Sequence, residues 1–154
     1  MTGRFSWFAA VAVLLVGVGG GREMWAAPPA CSLLTAGQVS AALGATVGDA
    51  KGMMSNLCMW TAPGKSGATQ KVALTIGDAR KFAMAKMAVN DPRITKTPVS
   101  GVGDEAVFGT TAGQAASINV KKGDTYFAIS LMGVPMDKAQ AVVTELAKEV
   151  VGKL

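Results

Sequence analysis

The 154-residue chain contains no histidine. Ser-His and Cys-His nucleophile pairs, histidine general bases and histidine-liganded zinc are excluded at once. Cysteine is nearly as scarce, with Cys31 and Cys58 alone, and joining them leaves no thiolate nucleophile. No Ser-x-x-Lys occurs, and the one pair of adjacent carboxylates, Asp104 and Glu105, would point to opposite faces of a strand. These absences argue against an enzyme. From residue 27 onward 13 basic residues face 9 acidic ones, with no block of five or six like charges. The cations therefore read as a solvated surface and not as a nucleic-acid interface.

What is present begins with a leader. Arg4 gives a basic start, Phe5 to Val18 is apolar apart from Ser6, and Gly19-Gly20-Gly21 breaks the run. The apolar core falls short of the roughly 20 residues of a spanning helix and sits where a secretory signal peptide sits. Small residues at Ala26 and Ala27 place cleavage after Ala26, giving a signal peptide over 1–26 and a single domain over 27–154. An uncleaved anchor is the competing reading. No later apolar run reaches spanning length, so no transmembrane helix is expected after cleavage. Export predicts a periplasmic or secreted protein and a Cys31–Cys58 disulfide, against the alternative of two free buried thiols. Pro28-Pro29-Ala30 before Cys31 lacks the leucine and small residue of a lipoprotein signal, which disfavours a lipid anchor there.

Along the domain, Thr35 and Gln38 form a capping-box pattern opening a helix from about Ala36 to Leu43, with Gly44 as a left-handed cap. Residues 45–55 read as a weak strand or loop. Leu57 to Thr61 reads as a strand, and Gly64-Lys65-Ser66 as a turn: position 59 is Met, not the glycine of a phosphate loop. Lys71 to Ile76, Ala116 to Lys121 and Thr125 to Leu131 alternate apolar and polar residues and predict strands with one packed face. A second helix, about Ala79 to Val89, would be capped by Asp78 with Phe82, Ala85 and Val89 inward. Arg93 to Gly103 reads as a connecting loop that could carry function. Ala106 to Phe108 reads as a short strand, and Lys122-Gly123-Asp124 as a tight hairpin. Ala139, Val142, Val143, Leu146 and Val150 recur at helical spacing after Pro135, with a Glu149–Lys153 pair near the end of that helix. The pattern predicts an α+β domain: an antiparallel sheet of about five to six strands packed with an N-terminal, a middle and a C-terminal helix. Whether the helices cover one face or both is left open.

Taken together, Cys31-Ser32-Leu33-Leu34-Thr35, the helix ending Leu43-Gly44, Cys58-Met59-Trp60, Gly101-Val102-Gly103-Asp104-Glu105-Ala106 and Val120-Lys121-Lys122-Gly123-Asp124 resemble the DUF3558-type exported domains of bacteria. Related small lipoproteins are similar to the Mog1/PsbP-like sandwich, an antiparallel sheet between helices. The resemblance implies a binding or accessory role in the cell envelope and supplies no catalytic residues.

Two functions follow as expectations. The first is an exported binding module with no cofactor, whose partner is a small apolar ligand or an envelope protein. Trp60, Arg93 and Tyr126 are its candidate contacts, although Trp60 equally fits a core position. The second is a periplasmic copper(I) binding protein using Met53, Met54 and Met59, since thioethers are soft ligands. Against it, methionine commonly fills irregular gaps in cores and surfaces.

Overall fold

The first helix forms where local chemistry places it. In the computed structural model, which describes residues 28–64, 67–87 and 91–154, Thr35 Oγ1 accepts from the Gln38 amide at 3.2 Å and Gln38 Oε1 accepts from the Thr35 amide at 3.0 Å. This reciprocal cap starts α2 (Ala36–Leu43), and Gly44 closes it with φ +64°. A helical turn, α1 (Ala30–Leu33), precedes it. The Cys31–Cys58 disulfide ties α1 to the second strand.

Among the described residues seven strands follow: β1 (Lys51–Met54), β2 (Leu57–Pro63), β3 (Thr69–Asp78), β4 (Ile94–Val99), β5 (Glu105–Thr111), β6 (Ala115–Lys122) and β7 (Thr125–Met132). They form one antiparallel sheet in the order β1-β2-β3-β7-β6-β5-β4. Helix α3 (Arg80–Lys86) lies between β3 and β4 in sequence, and α4 (Met136–Val151) ends the chain. The α+β class agrees with the residue pattern, and the strand count exceeds it. The excess is β4, which lies in residues 93–103, expected as a loop; residues 45–55, expected as a weak strand or loop, contain β1. Both are edge strands with every residue exposed or half-exposed. Without a buried face a strand needs no alternation, so its pattern carries no signal. Pro98 in β4 is tolerated because an edge strand has one unpaired side. β5 likewise runs past Phe108 to Thr111.

Alternation decides the packed face elsewhere. Cys58 and Trp60, Val72 and Leu74, Ile129 and Leu131, and Ile118 and Val120 are all buried on one side, where register aligns Cys58, Leu74, Ile129, Ile118 and Phe108 across five strands. Helices α1, α2 and α4 supply the other half of this core through Leu33, Val39, Val143 and Leu146. α4 runs against β6 and β7, as its apolar spacing requires.

α3 lies on the opposite face. Its Lys86 pairs with Glu105, and Lys96 Nζ donates to the Ala85 and Met87 carbonyls at 2.6 and 2.7 Å. Glu105 and Lys96 both point away from the side holding Ala106 and Phe108. Phe82 is buried outside the main core, and the Lys86 ammonium sits 5.5 Å above its ring. The helices therefore cover both faces unequally. α3 is also shorter than its sequence pattern: its N-cap is Ala79, while Asp78 Oδ1 accepts from the Arg80 amide at 2.8 Å from one residue earlier. Val89 and the expected signal peptide over 1–26 lie outside the described residues, as do Lys65 and Ser66 of the expected turn. Glu149 and Lys153 meet through Gln38, whose side-chain amide donates to Glu149 and whose oxygen accepts from Lys153 at 3.3 Å.

Candidate functional site

One end of the sheet opens into a cleft of about 1430 Å³. Six pieces of chain converge on it, four of them brought there by strand pairing. Asp78 ends β3 opposite Thr125 at the start of β7, and Glu105 begins β5 opposite Lys121 near the end of β6. The Ser55-Asn56 turn joins from the β1–β2 hairpin, held by the Ala30 amide donating to the Ser55 carbonyl and the Ile76 amide donating to the Asn56 carbonyl, at 3.0 and 2.9 Å. Pro28, Pro29, Lys153 and Leu154 close the remaining wall.

Its polar side chains are organised in pairs. Asp104 Oδ2 accepts from the Gly123 amide at 2.7 Å while the Asp104 amide donates to the Lys121 carbonyl at 2.8 Å, which clamps the loop before β5 onto the β6–β7 hairpin. Lys122 Nζ stands 3.5 Å from the same carboxylate. The Gly123 amide, with Lys122 adding, holds the Asp104 carboxyl below its ordinary value. Asp78 is lowered likewise by its hydrogen bonds from Arg80. Carboxyls held ionised in this way are poor proton donors at neutral pH and good acceptors for fixed amides and ammonium groups. Lys81 lies along Gly77, so close that a β-carbon at Gly77 would stand 3.2 Å from its Nζ. The cleft can therefore hold charged or hydrogen-bonding groups of both signs, and its volume exceeds the roughly 300–1,000 Å³ of the usual pocket for a small apolar molecule.

The structure does not bring Trp60, Arg93 and Tyr126 together. Trp60 is fully buried on the helix-facing side of β2, its Nε1 without a hydrogen-bond partner among the described residues. Tyr126 is half-buried on the opposite face, donating its hydroxyl to Asn119 Oδ1 at 2.7 Å, and burial raises its pKa. Arg93 is exposed ahead of β4 and paired with Asp91 at 2.8 Å. Met53 and Met54 are 65% and 64% exposed. Register puts Met54 beside Leu57 and Met59 beside Lys51, so Met54 and Met59 share the face opposite the core. Among the described residues, no three His, Cys, Asp or Glu side chains are grouped to hold a metal ion. Asp104 and Glu105 engage different partners, Gly123 with Lys122 and Lys86 respectively.

The cleft residues Asp78, Lys81, Asp104 and Asp124 carry no joint signal in the sequence. The β3–β7 pairing, which joins segments about fifty residues apart, brings Asp78 and Lys81 to Asp124, and the hydrogen bonds to Gly123 and Lys121 add Asp104. The chain matches no protein-family model, no curated protein and no solved structure.

Proposed function

We propose that the protein is an exported, non-catalytic binding domain of the bacterial cell envelope, acting in the periplasm or after secretion. The observation that carries this reading is the wide cleft at the sheet end, whose acids are tied to amides and cations and whose rim offers charges of both signs. Such a rim suits a segment of an envelope protein better than a small apolar ligand. The Cys31–Cys58 disulfide supports an oxidising compartment, and the leader pattern of residues 1–26 supplies the route. The resemblance to exported bacterial domains points to the same accessory role.

Native mass spectrometry of protein recovered from the export compartment tests it. The expected species starts near Ala27, is two hydrogens light, and carries a partner mass that Lys81→Glu with Lys122→Glu releases. A chain retaining its leader, or a partner mass unchanged in the double variant, would overturn the proposal.

A second reading is copper(I) binding on the β1–β2 hairpin, favoured by the exposure of Met53 and Met54 and the shared face of Met54 and Met59. A copper(I) titration should then show stoichiometric uptake that disappears when Met53, Met54 and Met59 are replaced together. Uptake unchanged in the triple variant would place the metal elsewhere.

A further inference from the structure

The sheet face opposite α1, α2 and α4 is only partly covered. Strand residues there, such as Met59, Ala73, Ala128 and Ser117, are half-buried, and Thr61, Lys71, Ser130 and Met132 are exposed. The charges on it are one-sided. Register assigns Lys51, Lys71, Lys96 and Lys121 to this face, with Glu105 as the strand carboxylate beside them. α3 adds Arg80, Lys81 and Lys86 above it, and Asp78 is already paired with Arg80. Seven of the thirteen basic residues after residue 27 thus gather on one side with two of the nine acids. The Asp91–Arg93 pair adds no net charge.

Apolar tips stand among these cations. Lys71 is the direct register partner of Met132, which is 49% exposed, and Lys51 is the partner of Met59. Met54, beside Leu57, projects from the same edge. A lysine beside a flexible thioether is the combination that sits at a lipid–water boundary, with the chain in the acyl border and the ammonium at the phosphates. Two copies face to face would oppose the same lysines, which disfavours self-association through this surface.

We propose that this face docks on an anionic phospholipid surface. Binding is peripheral, drawn by the lysines and assisted by Met54, Met59 and Met132; no helix among the described residues is long and apolar enough to cross a membrane. This face borders the sheet-end cleft at Asp78 and Lys81, but Lys51, Lys71 and the three methionines lie outside the cleft, so either proposal can fail alone.

Cosedimentation of the mature chain with vesicles of equal phosphatidylglycerol and phosphatidylcholine, against pure phosphatidylcholine, tests it. The expected result is binding to the anionic vesicles at low salt and loss of that binding at high salt. Lys51→Gln with Lys71→Gln should weaken it by roughly fivefold per lysine. The control, Lys138→Gln with Lys148→Gln on α4, removes the same charge from the helix side and should change it less than twofold. Equal binding to neutral vesicles, no binding to anionic ones, or equal loss in the two double variants would each overturn the proposal. So would a dimer formed without lipid and abolished by the Lys51 and Lys71 changes, because a second copy would then occupy the face.

Discussion

Gly103→Ala and Gly44→Ala form a matched pair that tests how tightly the loop before β5 is seated. Both glycines have positive φ, +60° at Gly103 and +64° at Gly44. At Gly44 an added β-carbon meets nothing within 4 Å, whereas at Gly103 it would lie 2.6 Å from both the Lys121 carbonyl oxygen and Val120 Cγ1. Neither neighbour can retreat easily: Val120 is fully buried, and the Lys121 carbonyl accepts the Asp104 amide at 2.8 Å. The left-handed conformation alone costs alanine about 1–2 kcal/mol, partly offset by about 0.4–1 kcal/mol from a stiffer unfolded chain. Gly44→Ala should therefore lose about 1 kcal/mol. Gly103→Ala adds an overpacking cost of about 1–3 kcal/mol, for a total near 2–4 kcal/mol. Urea unfolding of residues 27–154, followed by fluorescence of Trp60, the single tryptophan of that stretch, measures both. The midpoint should move with little change in slope. Losses within about 0.5 kcal/mol of each other would refute the close approach at Gly103.

Replacing Cys31 and Cys58 by Ser opens a loop of sequence separation 27. It should cost roughly 3.5 kcal/mol by the chain-entropy relation, and a loss below about 1 kcal/mol in the same urea assay would contradict it. Asp104 has its pKa lowered in the fold from the ordinary 3.8, so its contribution is present above that value and is lost as pH falls through the lowered one. Amide-exchange protection at Gly123 should fall in that acid range, and in Asp104→Ala, which has no side-chain acceptor, it should be low already at pH 7. Protection equal to wild type in the variant would sink this account of the clamp. Trp60→Ala should destabilise by about 3–5 kcal/mol, while Trp60→Phe should cost less than about 2 kcal/mol because its Nε1 has no hydrogen-bond partner among the described residues to lose. Equal costs for the two would show that the indole N–H, not its packing, holds the site.

Much of the architecture was legible from local chemistry. Thr35 and Gln38 form their reciprocal cap and Gly44 its left-handed close, since both depend on neighbours within one turn. The spacing of Ala139, Val142, Val143, Leu146 and Val150 gives α4 its buried side, and alternation in β3, β6 and β7 gives the core rows. β4 escaped because an edge strand exposed on both faces leaves no periodicity; α3 starts one residue late, after Asp78 at the end of β3, and stops at Lys86 with Met87 as its C-cap. Of the candidate contacts, Trp60 went to the core and the cleft drew on other residues.

The sequence by itself determined the missing histidine chemistry, the two caps of α2, the packed face of each alternating strand and the presence of two cysteines able to pair. Each depends on composition or on residues a few positions apart. Only the tertiary structure decided the strand order, the sheet-end cleft and the charge of the open face. Lysines scattered from Lys51 to Lys121 look evenly spread along the chain, and strand parity together with the non-local β3–β7 pairing places them on one side. Pairing across long sequence separations is settled by the whole sheet at once, so no local window of residues contains it.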